Sequence, residues 1–151
     1  MRMSIELGRT VAVALLVAAV AATPSATAQA GTITYTAVLS GANEVPPNAS
    51  PGTGFATVVY DDIAHTLLVS ATFQDLIGTT TAAHIHAATA VAGEGTAGVA
   101  TTAPTFVGFP LGVTSGVYLN TLDLTLASTY NPGYLNNAIN LGNVTTAEAS
   151  L

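Results

Sequence analysis

The run Gly54-Phe55-Ala56-Thr57-Val58-Val59-Tyr60-Asp61-Asp62-Ile63-Ala64-His65-Thr66-Leu67-Leu68-Val69-Ser70-Ala71-Thr72-Phe73 decides how this chain folds. Ala56, Val58 and Tyr60 alternate with Phe55, Thr57 and Val59, and the same period of two returns in Leu67, Val69, Ala71 and Phe73. Side chains in a strand point alternately to opposite faces, so each half reads as a strand with one face toward a core. Between the halves, Asp61 to His65 is short, polar and turn-forming. The reading is an antiparallel hairpin with Leu67, Val69, Ala71 and Phe73 turned inward.

The flanking sequence follows the same logic. Upstream, Ile33, Tyr35, Ala37 and Leu39 alternate with Thr34, Thr36 and Val38, which predicts another half-buried strand. Residues 40–52 carry Pro46, Pro47 and Pro51 with Gly41 and Gly52, and so read as a long loop or irregular edge. Asp75 to Thr80 reads as a turn. From Thr89 to Gly116 the chain is mostly Gly, Ala, Thr and Pro, which predicts loops and brief strands. Val117 to Leu126 is strand-like, with an apolar phase that shifts from Val117 and Leu119 to Leu122, Leu124 and Leu126, as a bulge would allow. Tyr130 to Tyr134 contains Asn131-Pro132-Gly133 and reads as a turn. Thr145-Thr146-Ala147-Glu148 matches the capping box that opens a helix. Several short strands separated by turn signals, with no convincing internal helix, predict an all-β antiparallel sandwich of Greek-key type, or a barrel.

Residues 1–30 have the marks of a secretory leader: Arg2 and Arg9, an apolar run from Val11 to Ala22, and Ala28-Gln29-Ala30 before Gly31. That run is shorter than the roughly 20 residues a membrane-spanning helix needs. Cleavage between Ala30 and Gly31 is expected, with the product secreted, periplasmic or at the cell surface. It would remove the only two basic residues and leave Glu44, Asp61, Asp62, Asp75, Glu94, Asp123 and Glu148. A chain without Lys or Arg is a poor partner for nucleic acid, and no second long apolar run suggests a membrane span. The chain has no cysteine, so stability must come from one ordinary hydrophobic core over residues 31–151.

The residues with the most chemistry are His84 and His86 in Ala82-Ala83-His84-Ile85-His86-Ala87. On a strand both imidazoles leave one face while Ala83, Ile85 and Ala87 leave the other. Such a pair could ligate zinc or copper, with His65 or Glu44 as a third ligand. From spacing alone the preferred reading is two polar residues on the wet face of a half-buried strand, since a stable metal site needs about three or four ligands. No cysteine nucleophile, Gly-x-Ser-x-Gly elbow or phosphate loop is present, so no catalytic residue is assigned.

Three stretches taken together, Tyr35-Thr36-Ala37-Val38-Leu39-Ser40-Gly41-Ala42-Asn43-Glu44-Val45-Pro46-Pro47, Gly54-Phe55-Ala56 and Ala83-His84-Ile85-His86, resemble the CHRD domain, the module named after chordin. The resemblance runs from about Ile33 to Leu151. It implies an exported β-sandwich, immunoglobulin-like or superoxide-dismutase-like, of unassigned function in bacteria and associated with growth-factor antagonism in chordin. Members typically close with Asn-Ile-His and Gly-Glu-Ile-Arg-Gly motifs. This sequence ends before either, so a sandwich incomplete at its C-terminus is expected. His84-Ile85-His86 also looks like a copper-binding strand of superoxide dismutase, but that enzyme's bimetallic site needs more histidines than the three here. The expectation is a non-catalytic surface or matrix module that binds an extracellular protein or small ligand without a cofactor. The alternative is a metal-binding exported module built on His84 and His86.

Overall fold

A computed structural model describes residues 2–3, 31–91 and 94–151. Apart from Arg2–Met3, the expected leader lies outside the described residues. The main element is a four-stranded antiparallel sheet in the order β2-β3-β4-β6. Its strands are β2 (Thr32–Ser40), β3 (Thr53–Asp61), β4 (Thr66–Gln74) and β6 (Gly116–Asp123). Two-residue strands β1 (Arg2–Met3) and β5 (Ala82–Ala83) pair in parallel. The hairpin is in place: Asp61 lies opposite Thr66, and Gly54 opposite Phe73. Its tight connection follows from Asp61, whose Oδ1 accepts the amides of Ile63 at 3.0 Å and Ala64 at 2.8 Å. His65 closes the turn in the left-handed region at φ 53°.

The pleat gives the sheet two unlike faces. Leu39, Ala56, Val58, Leu67, Val69, Ala71, Phe73 and Tyr118 form the buried face. The opposite face carries Val38, Phe55, Leu68, Val117 and Leu119, all exposed, among Thr34, Thr36, Thr57, Ser70, Thr72 and Thr121. The register is unbroken from Phe73–Gly116 to Thr66–Asp123, so β6 has no bulge. The apparent phase shift has a simpler origin. Val117 and Leu119 point outward, while Tyr118 and Leu122 point inward, so both faces of this strand are apolar.

The all-β, antiparallel reading holds, but the layer over the buried face is not a second regular sheet. It is irregular chain joined by isolated bridges, Ala83 to Thr105, His86 to Val99 and Thr101 to Tyr130. Pro104 and Pro110 interrupt this region and cannot donate to a ladder. Its apolar side chains nevertheless complete the core: Ile85, Ala100, Phe106 and Phe109 are buried. Phe109 stacks on Phe73 with centroids 5.6 Å apart, and Phe106 stacks on Tyr118 at the same distance.

Two short helices follow. The Tyr130–Tyr134 segment expected as a turn contains α1 (Pro132–Leu135), with Asn131 as N-cap and Pro132 at the first helical position. The capping box is also corrected. α2 (Val144–Ala149) is capped by Asn143, whose side chain accepts the amides of Thr145 at 2.9 Å and Thr146 at 3.3 Å. A six-residue helix is unstable alone, so α2 depends on docking. Ala147 is fully buried, and Tyr134 donates its hydroxyl proton to the Ala147 carbonyl at 2.9 Å.

Candidate functional site

His84 and His86 come together, with ring centroids 5.0 Å apart, although the strand expected to carry them ends at Ala83 and His86 makes only an isolated bridge to Val99. They do not lie on a wet face: His84 is buried and His86 half-buried. His84 Nδ1 lies 3.0 Å from the Pro104 carbonyl oxygen, and His86 Nδ1 lies 2.6 Å from that of Ala97. A carbonyl only accepts, so each Nδ1 must carry a proton. In the neutral ring the lone pair then belongs to Nε2, the arrangement that fixes the tautomer in many metal-binding histidines. Neither expected third ligand completes the set. Among the described residues, no group of three or more His, Asp or Glu side chains is placed to hold a metal ion. Glu44 sits at the end of a 3-10 turn, Gly41–Asn43.

His65 has a different partner. Its Nδ1 lies 3.0 Å from Glu148 Oε1 and 2.9 Å from Oε2. Tyr60 donates its hydroxyl proton to the same Oε1 at 2.9 Å. The Glu148 side chain is only 8% exposed, whereas His65 is 49% exposed, so the inner end of this pair is the carboxylate. Burial, followed by the hydrogen bond to Glu148, pushes the Tyr60 hydroxyl up to about 12. The three residues join β3 and the hairpin to α2. Beside them is a cleft of about 340 Å³ lined by Ile33, Tyr35, Tyr60, Asp62, Leu67 and Glu148. Gly31 donates its backbone N–H to Oδ1 of the cleft residue Asp62 at 2.9 Å.

The sequence contained a partial signal for this cluster. Glu148 falls at the acidic position of a capping box, but its carboxylate goes to the hairpin because Asn143 already caps the helix. Nothing local in the sequence links His65 or Tyr60 to a residue more than eighty positions away.

The largest exposed apolar feature of the sheet is its outer face. From row to row across the strands it reads Val38, Phe55, Thr72, Val117; then Thr36, Thr57, Ser70, Leu119; then Thr34, Val59, Leu68, Thr121. These twelve positions hold no charged residue. The next row, Thr32, Asp61, Thr66 and Asp123, places two acids at one end. Asp123 is held below the ordinary carboxylate range by hydrogen bonds from the Thr125 hydroxyl and amide.

An antiparallel all-β domain with one bare sheet face, and with its histidines tied to backbone carbonyls or to a carboxylate, is what fold and site define. The chain belongs to the CHRD family, since the model of the CHRD domain matches residues 35–148. No curated protein and no solved structure matches it. No helix among the described residues is long and apolar enough to cross a membrane.

Proposed function

We propose that this chain is an exported, non-catalytic CHRD module that binds at the cell exterior through the outer face of its sheet. The observation that carries the reading is that face. Val38, Val117 and Leu119 are each more than 60% exposed on a regular, uncharged surface. Contiguous exposed apolar patches of this kind mark interaction sites more often than scattered surface residues do. Export rests on the leader features of residues 1–30. Cleavage after Ala30 would turn the Gly31 N–H at Asp62 into an ammonium facing a carboxylate. The test is retention. The secreted protein should partition with the cell surface or matrix, and a Phe55→Ser, Val117→Ser double variant should pass into the medium. Equal retention of the two would remove the face from the account.

A second reading, binding of zinc or copper at His84 and His86, is favoured by the two Nδ1-to-carbonyl contacts, which leave the lone pair of each neutral ring on Nε2. Two nitrogens alone make a weak site, so weak binding lost on acidification is expected. Calorimetric titration of the wild type and a His84→Gln, His86→Gln variant tests it. Identical titration curves would exclude the pair as ligands.

A further inference from the structure

We infer that the partner of the outer sheet face is a second copy of this chain, stacked sheet on sheet so that the dimer forms a β-sandwich. The inference rests on reading that face as the binding surface. Size is the first support. Four strands about 4.8 Å apart and three rows about 6.8 Å apart make a patch of roughly 400 Å² in plan. Counting side-chain relief, two such faces together would bury on the order of 1,000 Å², the lower limit for a specific interface. The pair should therefore be reversible and concentration-dependent.

The charge pattern is the second support, and it selects a geometry. Asp61 and Asp123 occupy the row at one end of the sheet, whereas the row at the other end of the patch is Val38, Phe55, Thr72 and Val117. A two-fold axis parallel to the strands would stack the two acidic rows on each other, with all four carboxylates crowded at one end of the interface. An axis between the sheets and perpendicular to the strands places the acidic end of each copy over the uncharged end of the other. It also stacks each strand on its own counterpart and makes the contact isologous. Phe55 then faces Val59 of the partner subunit, and the middle row, with Thr57 and Leu119, faces itself. Sheets packed in this way lie about 10 Å apart, with strand directions within about 30° of each other.

The test uses the secreted protein. Sedimentation equilibrium across a range of concentrations should show the mass rising from one chain to two. Phe55→Asp should weaken the association at least tenfold, while Val107→Asp, at an exposed position outside the sheet, should not. Because Phe55→Asp could also unsettle the strand, a second reporter is needed. The chain has no cysteine, so Thr57→Cys introduces a unique thiol on an inner strand. A bis-maleimide spanning about 10 Å should join two copies through it. Edge-to-edge pairing would not bring inner strands together. A single-chain mass at every concentration would overturn the inference. If the face variants still lost surface retention, the binding reading would survive with a different partner. Association without cross-linking at position 57 would also overturn the stacked geometry. So would a Thr57→Cys thiol closed to reagent in the monomer, because another part of the chain would then cover the face.

Discussion

Replacing Phe73 by alanine is the most revealing single perturbation of the core. Phe73 sits on β4 between Gly54 on β3 and Gly116 on β6, and it is only 5% exposed. The two glycines leave room for its ring. A Cβ added at Gly116 would stand 2.8 Å from Phe73 Cζ, and one at Gly54 would stand 3.1 Å from Phe73 Cβ. Phe109 stacks on the ring from the irregular layer at 5.6 Å. Phe73→Ala would therefore leave a gap that glycine neighbours cannot fill. An aromatic side chain buries about 150 Å² or more, worth roughly 4 kcal/mol at about 25 cal/mol per Å². Alanine keeps part of that, and the residual cavity adds to the loss, for a net cost of about 3 to 5 kcal/mol. That is a large share of the total stability of a small domain. Urea unfolding followed by circular dichroism measures it, with the slope unchanged and the midpoint lowered. Gly116→Ala should also destabilise, and less so in a Phe73→Leu background, because the tightest clash is with the ring, with Pro110 Cγ next at 3.0 Å. An unmoved midpoint for Phe73→Ala would refute both the strand phase and the proposed link between the sheet and its cover.

Other outcomes follow from the hairpin-to-helix contacts. Glu148→Gln should cost about 1 to 3 kcal/mol, because the nearly buried side chain loses its charge-assisted bonds to His65 and Tyr60. Thermal unfolding of the variant measures this, and no change in Tm would mean that α2 docks through Ala147 and Tyr134 alone. Tyr60 keeps its proton longer in the folded state than in the unfolded one, so the stability it contributes is complete below pH 10 and is lost as pH rises from 10 through about 12. Tyr60→Phe should flatten that part of the alkaline stability profile, and phenolate absorbance follows the titration directly. N-terminal sequencing of the secreted protein should begin at Gly31; a start at Met1 in a retained protein would end the export argument.

Legibility in the sequence tracked how local each cause was. The β3–β4 hairpin was readable because alternation, turn residues and inward face are set within twenty neighbouring residues. β6 was misread in detail because apolar residues on a bare face look like core residues. Its inward face carries Asn120 opposite Val69, while Val117 and Leu119 face solvent. α2 was found from a real signal but with the wrong cap, since Asn143 stands two residues ahead of Thr145, accepts the amides of Thr145 and Thr146, and so starts the helix before Thr145 can cap it. The rings of His84 and His86 lie side by side, but not on the strand that their spacing suggested. Their carbonyl partners, on Pro104 and Ala97, reach them only through the fold of the irregular layer. The His65–Glu148 contact is a purely tertiary feature and has no counterpart in sequence spacing.

The central claim is that the outer face of the sheet is the surface this module works with. Hydroxyl-radical footprinting, read residue by residue by mass spectrometry, tests it most directly by comparing dilute purified protein with protein retained at the exterior of its own cells. Phe55, Leu68 and Leu119 should oxidise readily in the dilute protein and become protected in the retained form, while Ile63, Ile77 and Val107, exposed elsewhere, should react equally in both. Equal oxidation of Phe55, Leu68 and Leu119 in the two samples, or protection confined to Ile63, Ile77 and Val107, would contradict the claim.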